Sequence, residues 1–102
     1  MSGNAALWNT LWGEWIIEEL IRCSLKLFCI SPGSRSTPLT VAAARHPEAE
    51  INLIYDERAA AYYALGYSRG SGNSGVLICS SGTAAANYLP AIVEASVEQI
   101  PM

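Results

Sequence analysis

The chain has 102 residues, of which 51% are hydrophobic and only 15% charged, so it is long enough for one domain and apolar enough to exclude intrinsic disorder. Its formal net charge is -3, from six basic and nine acidic residues. It therefore has no positive surface for phosphate backbones, which excludes a nucleic-acid-binding protein.

The first predicted element is an amphipathic helix from Ala5 to Cys23, where apolar residues recur at spacings of three and four. Asn4 is a candidate N-cap for this helix. Trp8, Trp12 and Trp15 share one helix face, and we expect this aromatic face to be core or an interface.

Three short apolar runs predict strands, and each run is followed by turn residues and a helical pattern. The strands are expected at Leu27–Ile30, Ile51–Tyr55 and Gly75–Cys79. The helices are expected from Thr37 to Ala44 with Pro38 in the first turn and Pro47 after the end, from Glu57 to Arg69 with Asp56 as N-cap, and from Ala84 to Glu98. The continuous apolar run of the first strand is typical of a strand buried on both faces. The order αβαβαβα predicts an α/β fold, a parallel sheet flanked by helices.

Ligands of such sheets bind at the carboxyl ends of the strands. Three predicted loops share that edge here, at residues 31–36, 56–58 and 80–83, and they contain most of the polar residues that could carry chemistry. Their convergence points to a binding site more strongly than any one loop does.

Each loop also has a purely structural interpretation. The first could be a turn with a hydroxyl cap, although Arg35 beside hydroxyl groups suits a carboxylate or phosphate. Glu57 could be a favourable acid in a first helical turn, or it could share a proton with a ligand in a cleft. Residues 80–83 offer backbone N–H groups to a polar ligand but lack the lysine of a P-loop. His46, the only histidine, follows a different helix and is expected to lie at the protein surface, so a Ser-His-Asp triad has little support.

The remaining sequence features exclude a membrane span and favour free thiols. The longest uncharged segment, residues 70–93, is interrupted by glycine- and serine-rich stretches, so it contains no apolar helix long enough to span a membrane. No basic region precedes the first apolar residues, so a signal peptide is not expected.

The three cysteines, Cys23, Cys29 and Cys79, are odd in number and lack C-x-x-C spacing. Cys29 and Cys79 lie in apolar runs, where buried free thiols are expected. A reducing cytoplasm fits this pattern best.

Taken together, the three loops resemble one enzyme family. The strings are ISPGSRSTPL at residues 30–39, DERAAAYYALG at 56–66 and CSSGTAAANYLPA at 79–91. They resemble 2-succinyl-5-enolpyruvyl-6-hydroxy-3-cyclohexene-1-carboxylate synthase, the thiamine-diphosphate enzyme of menaquinone and phylloquinone synthesis. The first string is the most particular to this family, and the resemblance extends from Trp8 to Met102.

The resemblance implies that residues 1–102 are the N-terminal portion of a pyrimidine-binding domain. The middle domain and the diphosphate-binding domain, which holds Mg²⁺, have no counterpart in the sequence, and no metal ligand is expected in it. The family decarboxylates 2-oxoglutarate and adds the resulting succinyl carbanion to isochorismate, and the complete protein acts as a homodimer or higher oligomer. By itself the chain is expected to be inactive.

The resemblance also assigns roles to individual residues. Glu57 is implied to be catalytic through a hydrogen bond to the pyrimidine nitrogen N1′ of the cofactor, and Ser34 and Arg35 to bind the isochorismate carboxylate. The other implied cofactor-binding residues are Pro32, Gly33, Ser81, Gly82 and Thr83. The sequence departs from the family at Ser24, where glycine is usual, and at residues 73–75, which replace a proline-containing stretch.

Two other functions stay open at this stage. One is a small α/β module that binds a carboxylated or nucleotide-like ligand without catalysis. The other is a truncated, non-functional fragment of the synthase. Both retain the three loops, so only the behaviour of the protein separates them from the enzyme.

Overall fold

The computed structural model describes residues 2–102, with side-chain burial from residue 4 onward. The helices are α1 Ser2–Arg22, α2 Thr37–Arg45, α3 Glu57–Ser71 and α4 Leu89–Glu98, and the strands are β1 Leu27–Ile30, β2 Glu50–Leu53 and β3 Val76–Ile78. Two 3₁₀ helices, Ser34–Ser36 and Gly82–Tyr88, precede α2 and α4. The predicted α/β order is confirmed.

The sheet has the strand order β2-β1-β3, and both pairings are parallel. The central strand β1 is buried along its whole length, which confirms the prediction of a strand covered on both faces. Phe28 and Ile30 of β1 pack against α1 and α2 on one face. Leu27 and Cys29 pack against α3 on the other, so alternate residues of one strand supply both halves of the core.

Burial has a chemical consequence for the cysteines. Burial raises the pKa of the Cys29 thiol to about 11 because the thiolate would lose its hydration. Cys29 is therefore a buried free thiol, as predicted, whereas Cys79 is only half-buried and Cys23 is exposed.

Two strands are shorter than predicted. The backbone N–H of Ile54 still donates to the carbonyl of Ile30 at 2.9 Å, but Tyr55 is 80% exposed and lies beyond the sheet. At β3 the ladder runs only over Val76–Ile78, because it ends where β1 ends at Ile30.

The predicted continuous helix from Ala84 to Glu98 is wrong. A 3₁₀ helix covers Gly82–Tyr88, and α4 starts anew at Leu89. Pro90 is the physical reason, because it lacks an N–H group and its ring would clash with a carbonyl one turn earlier in a continuous α-helix. In the first turn of α4 neither penalty applies.

For the first helix, the structure corrects the predicted N-cap and removes one of the two alternatives, core or interface, expected for its aromatic face. Asn4 lies inside the first turn of α1, which begins at Ser2, so it is not the N-cap. The tryptophan face is not core, because α1 buries the opposite face, including Ile17 and Ile21. A Cβ on Gly13 would lie 2.7 Å from the carbonyl oxygen of Pro38, so a glycine allows α1 to approach the start of α2 closely.

His46 is less exposed than predicted. Its Nε2 lies 2.8 Å from the Glu18 Oε1 atom of α1, and most of its side chain is buried. Hydrogen bonds from Arg22 and then from His46 lower the pKa of the Glu18 carboxyl. His46 therefore links α1 to the end of α2.

The α1–β1 turn places Ser24 in a backbone conformation that favours glycine. Ser24 has φ of 69°, in the left-handed region, and the N–H of Leu25 donates to the carbonyl of Leu20 in a Schellman cap. The carbonyl of Ser24 accepts a 2.7 Å hydrogen bond from Nδ2 of Asn73, so the α1–β1 turn contacts the stretch before β3.

We expect Ser24→Gly to stabilise the chain by about 0.5–1 kcal/mol. Glycine avoids the penalty of about 1–2 kcal/mol for a left-handed backbone, but its larger conformational entropy in the unfolded chain cancels part of that gain. Ser24→Ala is the matched control and should bring no gain, since alanine keeps the Cβ. Urea unfolding of the three chains measures the difference. A glycine variant that is less stable than the parent would contradict the strain argument.

Among the helices described, none combines the length and the apolar character that a membrane crossing requires.

Candidate functional site

The three loops meet at one edge of the sheet because all three strands are parallel. Ser31, directly after β1, connects them. Its N–H donates to the carbonyl of Ile78 at the end of β3 at 2.9 Å, and its Oγ donates to the carbonyl of Ile54 just after β2 at 2.6 Å. Ser31 is fully buried. It holds the ends of the three strands together, a role that its place in the loop sequence did not reveal.

The first and third loops are in direct contact at Gly33. A Cβ built on Gly33 would lie 2.4 Å from the Cβ of Ser80 and 2.8 Å from its Oγ. Such distances are impossible for real side chains, so the two loops can be this close only because residue 33 is glycine. Ser36 closes the first loop by donating from Oγ to the carbonyl of Gly33 at 3.0 Å.

We expect Gly33→Ala to destabilise the chain by about 1–3 kcal/mol, the usual cost of overpacking a close contact. Gly33→Ala combined with Ser80→Gly should recover at least half of that loss, because the second change removes the atoms that clash. Chemical denaturation of the parent, both single variants and the double variant gives the coupling free energy. If the free-energy losses of the two single variants add up in the double variant, Gly33 and Ser80 are not energetically coupled.

Ser34 and Arg35, predicted to bind a carboxylate, lie on the 3₁₀ helix Ser34–Ser36 and are both exposed. Pro32, just before them, is exposed as well. Within residues 2–102 the guanidinium of Arg35 takes part in none of the ion pairs. Arg35 is therefore available to bind a ligand at this edge.

The second loop places a carboxyl group beside the first. Asp56 is the N-cap of α3, as predicted, and its Oδ2 accepts from the N–H of Ala59 at 3.2 Å. Glu57 is the first residue of α3 and is half-buried. Ala60 and Ala61, in the turn that follows, are fully buried, so the carboxyl stands at the rim of an apolar surface.

The third loop is the most open of the three. Ser81, Gly82 and Thr83 are exposed, and Gly82 has φ of 73°, a left-handed conformation that glycine adopts without strain. The carbonyl of Thr83 accepts a 3.1 Å hydrogen bond from Nδ2 of Asn87, which orders the 3₁₀ helix that begins there. The backbone at Ser81 and Gly82 is thus available to a ligand.

One residue near this edge, Tyr88, is not among the site residues predicted from the sequence. Its hydroxyl is buried and has no hydrogen-bond partner among the residues described. Burial, then the neighbouring Cys79 thiol and the charge of Glu57, raise the pKa of Tyr88 well above its usual range. Tyr88 packs on Ala61, which lies one helical turn after Glu57. Pro90 is the sequence signal that could have located Tyr88, because it marks the break between the 3₁₀ helix and α4.

Comparisons with known proteins show the family of the chain. Residues 12–102 match the family model described as thiamine pyrophosphate enzyme, N-terminal TPP binding domain. The chain is 63% identical over 94 residues to a protein of Prosthecochloris aestuarii and 62% identical to proteins of Chlorobium limicola and Pelodictyon phaeoclathratiforme. Each is named 2-succinyl-5-enolpyruvyl-6-hydroxy-3-cyclohexene-1-carboxylate synthase. Each alignment covers 92% of this chain but 16% of the relative, so the chain spans about one-sixth of the length of these relatives.

Proposed function

The chain belongs to the family of N-terminal, thiamine-pyrophosphate-binding domains of thiamine-dependent enzymes, and we propose that it is the N-terminal part of the pyrimidine-binding domain of a 2-succinyl-5-enolpyruvyl-6-hydroxy-3-cyclohexene-1-carboxylate synthase. The observation that carries the proposal is the convergence of three loops at one sheet edge, with the half-buried carboxyl of Glu57 among them. The high identity to synthases of that name supports the choice of enzyme.

The residues present fit the aminopyrimidine ring of thiamine diphosphate. That ring is flat and partly apolar and carries nitrogen acceptors. This edge offers the half-buried carboxyl of Glu57, with the buried Ala60 and Ala61 behind it and the buried, unpartnered hydroxyl of Tyr88 packed on Ala61. Within residues 2–102 no group of three His, Cys, Asp or Glu side chains could hold a metal ion. The fit therefore concerns the pyrimidine, and Mg²⁺ and the diphosphate would be bound by the diphosphate-binding domain.

When bound, thiamine diphosphate supplies the nucleophilic carbon and the electron sink for the decarboxylation. The contribution of this chain is acid–base chemistry at one carboxyl. Glu57 would hold a proton toward the ring nitrogen N1′, which requires a site that water reaches only partly. Glu57 is half-buried, and the fully buried Ala60 and Ala61 follow in the next turn of α3.

Acceptor binding is the second contribution. The guanidinium of Arg35 can bind both oxygens of a carboxylate at once, and Ser34, the preceding residue of the same 3₁₀ helix, carries a hydroxyl group. We assign to these two residues the carboxylate of isochorismate, with 2-oxoglutarate as the donor of the succinyl group. We assign to the backbone of Gly33 and of residues 81–83 a part in shaping the pyrimidine site at this edge.

The experiment that tests the proposal is a chimera. This chain replaces the matching N-terminal segment of the 63% identical Prosthecochloris aestuarii synthase. We expect a folded chimera that forms product from 2-oxoglutarate and isochorismate with kcat/KM within about tenfold of the parent, that is within about 1.4 kcal/mol of activation free energy. A folded chimera without activity would favour the non-catalytic binding module or the non-functional fragment.

The chain by itself is expected to be inactive, because the diphosphate and metal anchors belong to the other domain. Purified chain mixed with both substrates, thiamine diphosphate and Mg²⁺ should release no more CO₂ than a protein-free blank. Release of CO₂ above the blank would contradict the proposal that another domain binds the diphosphate and the metal ion.

A further inference from the structure

Helix α1 carries an exposed apolar surface that the catalytic proposal does not use. Trp8, Trp12, Trp15 and Ile16, here named the tryptophan face, are 55%, 55%, 53% and 44% exposed. The rings of Trp12 and Trp15 pack edge to face, with centroids 5.5 Å apart. All three tryptophans of the chain lie on this face.

The area of the face is sufficient for a specific interface. A tryptophan side chain offers up to about 250 Å², so three that are half exposed, with Ile16, leave about 500 Å² uncovered. Contiguous apolar patches of that size on soluble proteins mark interaction sites. Two such faces would bury about 1,000 Å², near the lower end of specific protein interfaces.

The spacing of the face indicates a helical partner. Trp8, Trp12 and Trp15 are followed by Glu19 and Arg22 at spacings of four and three residues, and this alternation forms the seam of a two-helix coiled coil. Both charged residues lie on the exposed side of α1. Since the seam has aromatic residues in its first half and charges in its second, its pairing has a direction.

We propose that the tryptophan face binds the same face of a second copy of this chain, with the two α1 helices antiparallel. A parallel pair would place Glu19 opposite Glu19, which like charges oppose, whereas Arg22 is already paired with Glu18 at 2.9 Å. The antiparallel pair places Trp12 opposite Trp15 and Trp8 opposite Glu19, whose carboxylate can accept from the indole N–H. These contacts occur twice about a two-fold axis, so the surface is complementary to itself.

Sedimentation equilibrium and intrinsic fluorescence test the association together. Because every tryptophan lies on the face, tryptophan emission should shift to shorter wavelength as the concentration rises, with the same midpoint as the monomer–dimer transition. Trp12→Glu should weaken the dimer by about 30-fold or more, the size of an interface hot spot.

Val97→Glu is the matched control, since Val97 is an apolar residue 75% exposed on α4, and it should leave the dimer unchanged. A chain that stays monomeric at high micromolar concentration would overturn the proposal and would leave the face to another part of a longer protein. A dimer lost in Val97→Glu and kept in Trp12→Glu would overturn it in favour of α4.

Cross-linking tests the direction with the tryptophans intact. In the antiparallel pair Ala5 lies opposite Arg22, next to the exposed Cys23, whereas the two Cys23 residues are about 28 Å apart at 1.5 Å per residue. A short bis-maleimide should therefore link Ala5→Cys chains between position 5 of one copy and Cys23 of the other. It should link neither the parent nor the Ala5→Cys, Cys23→Ser chain. A Cys23–Cys23 link in the parent, or no link in Ala5→Cys, would overturn the antiparallel pair.

Discussion

Replacing Glu57 by glutamine in the chimeric synthase is expected to lower kcat by about 10²–10⁴-fold, the usual effect of losing a positioned acid–base group. The amide keeps the size and the hydrogen-bonding reach of the side chain, but it cannot share a proton with N1′. Because Glu57 is half-buried and its side chain makes no hydrogen bond within the described part of the chain, the fold should be unaffected. Steady-state kinetics with circular dichroism measure both effects.

Asp56→Asn is the matched control for this variant. Asp56 is also acidic and adjacent, but its visible role is to cap α3, which asparagine performs about equally well. This variant should keep nearly full activity. If Glu57→Gln were as active as Asp56→Asn, both carboxyls would be structural and the catalytic role of Glu57 would be lost.

Arg35→Ala in the same chimera is expected to weaken the use of isochorismate much more than the decarboxylation of 2-oxoglutarate. Truncating one partner of a buried charge pair costs roughly 2–5 kcal/mol, which corresponds to about 30-fold to several thousandfold in kcat/KM. The pair forms only with substrate, because Arg35 is exposed and takes part in none of the ion pairs within residues 2–102. Product formation at varied isochorismate, compared with CO₂ release, separates the two steps.

Arg58→Ala removes the same charge from a neighbouring loop of the same edge and controls for the general electrostatic effect. Arg58 is exposed and lies in the first turn of α3. We expect a small change that is equal for both substrates. Equal losses on both substrates in Arg35→Ala would mean that Arg35 supports its loop and does not select the acceptor.

The strands and the site edge were predictable because their signals are local. The apolar run Leu27–Ile30, the turn residues after it and the N-cap at Asp56 each depend on neighbours a few residues away. A strand–helix alternation then implies parallel strands, and parallel strands bring their following loops to one edge. Glu57, Arg35 and Ser81 could thus be assigned to one edge without coordinates.

Other features depend on residues that are distant in the chain, and packing alone decided them. Whether α1 buries its aromatic face or the face of Gly13 and Ile17 is decided by the close approach of α2, which a helical period cannot reveal. Gly33 and Ser80 are far apart in sequence, and only the pairing of β1 with β3 brings them into contact. The burial of the Tyr88 hydroxyl has a similar reason, since the packing of the 3₁₀ helix on α3 brings together residues that are distant in the chain. A sequence pattern states which residues prefer burial, but the close fit between distant backbones determines which of them are buried.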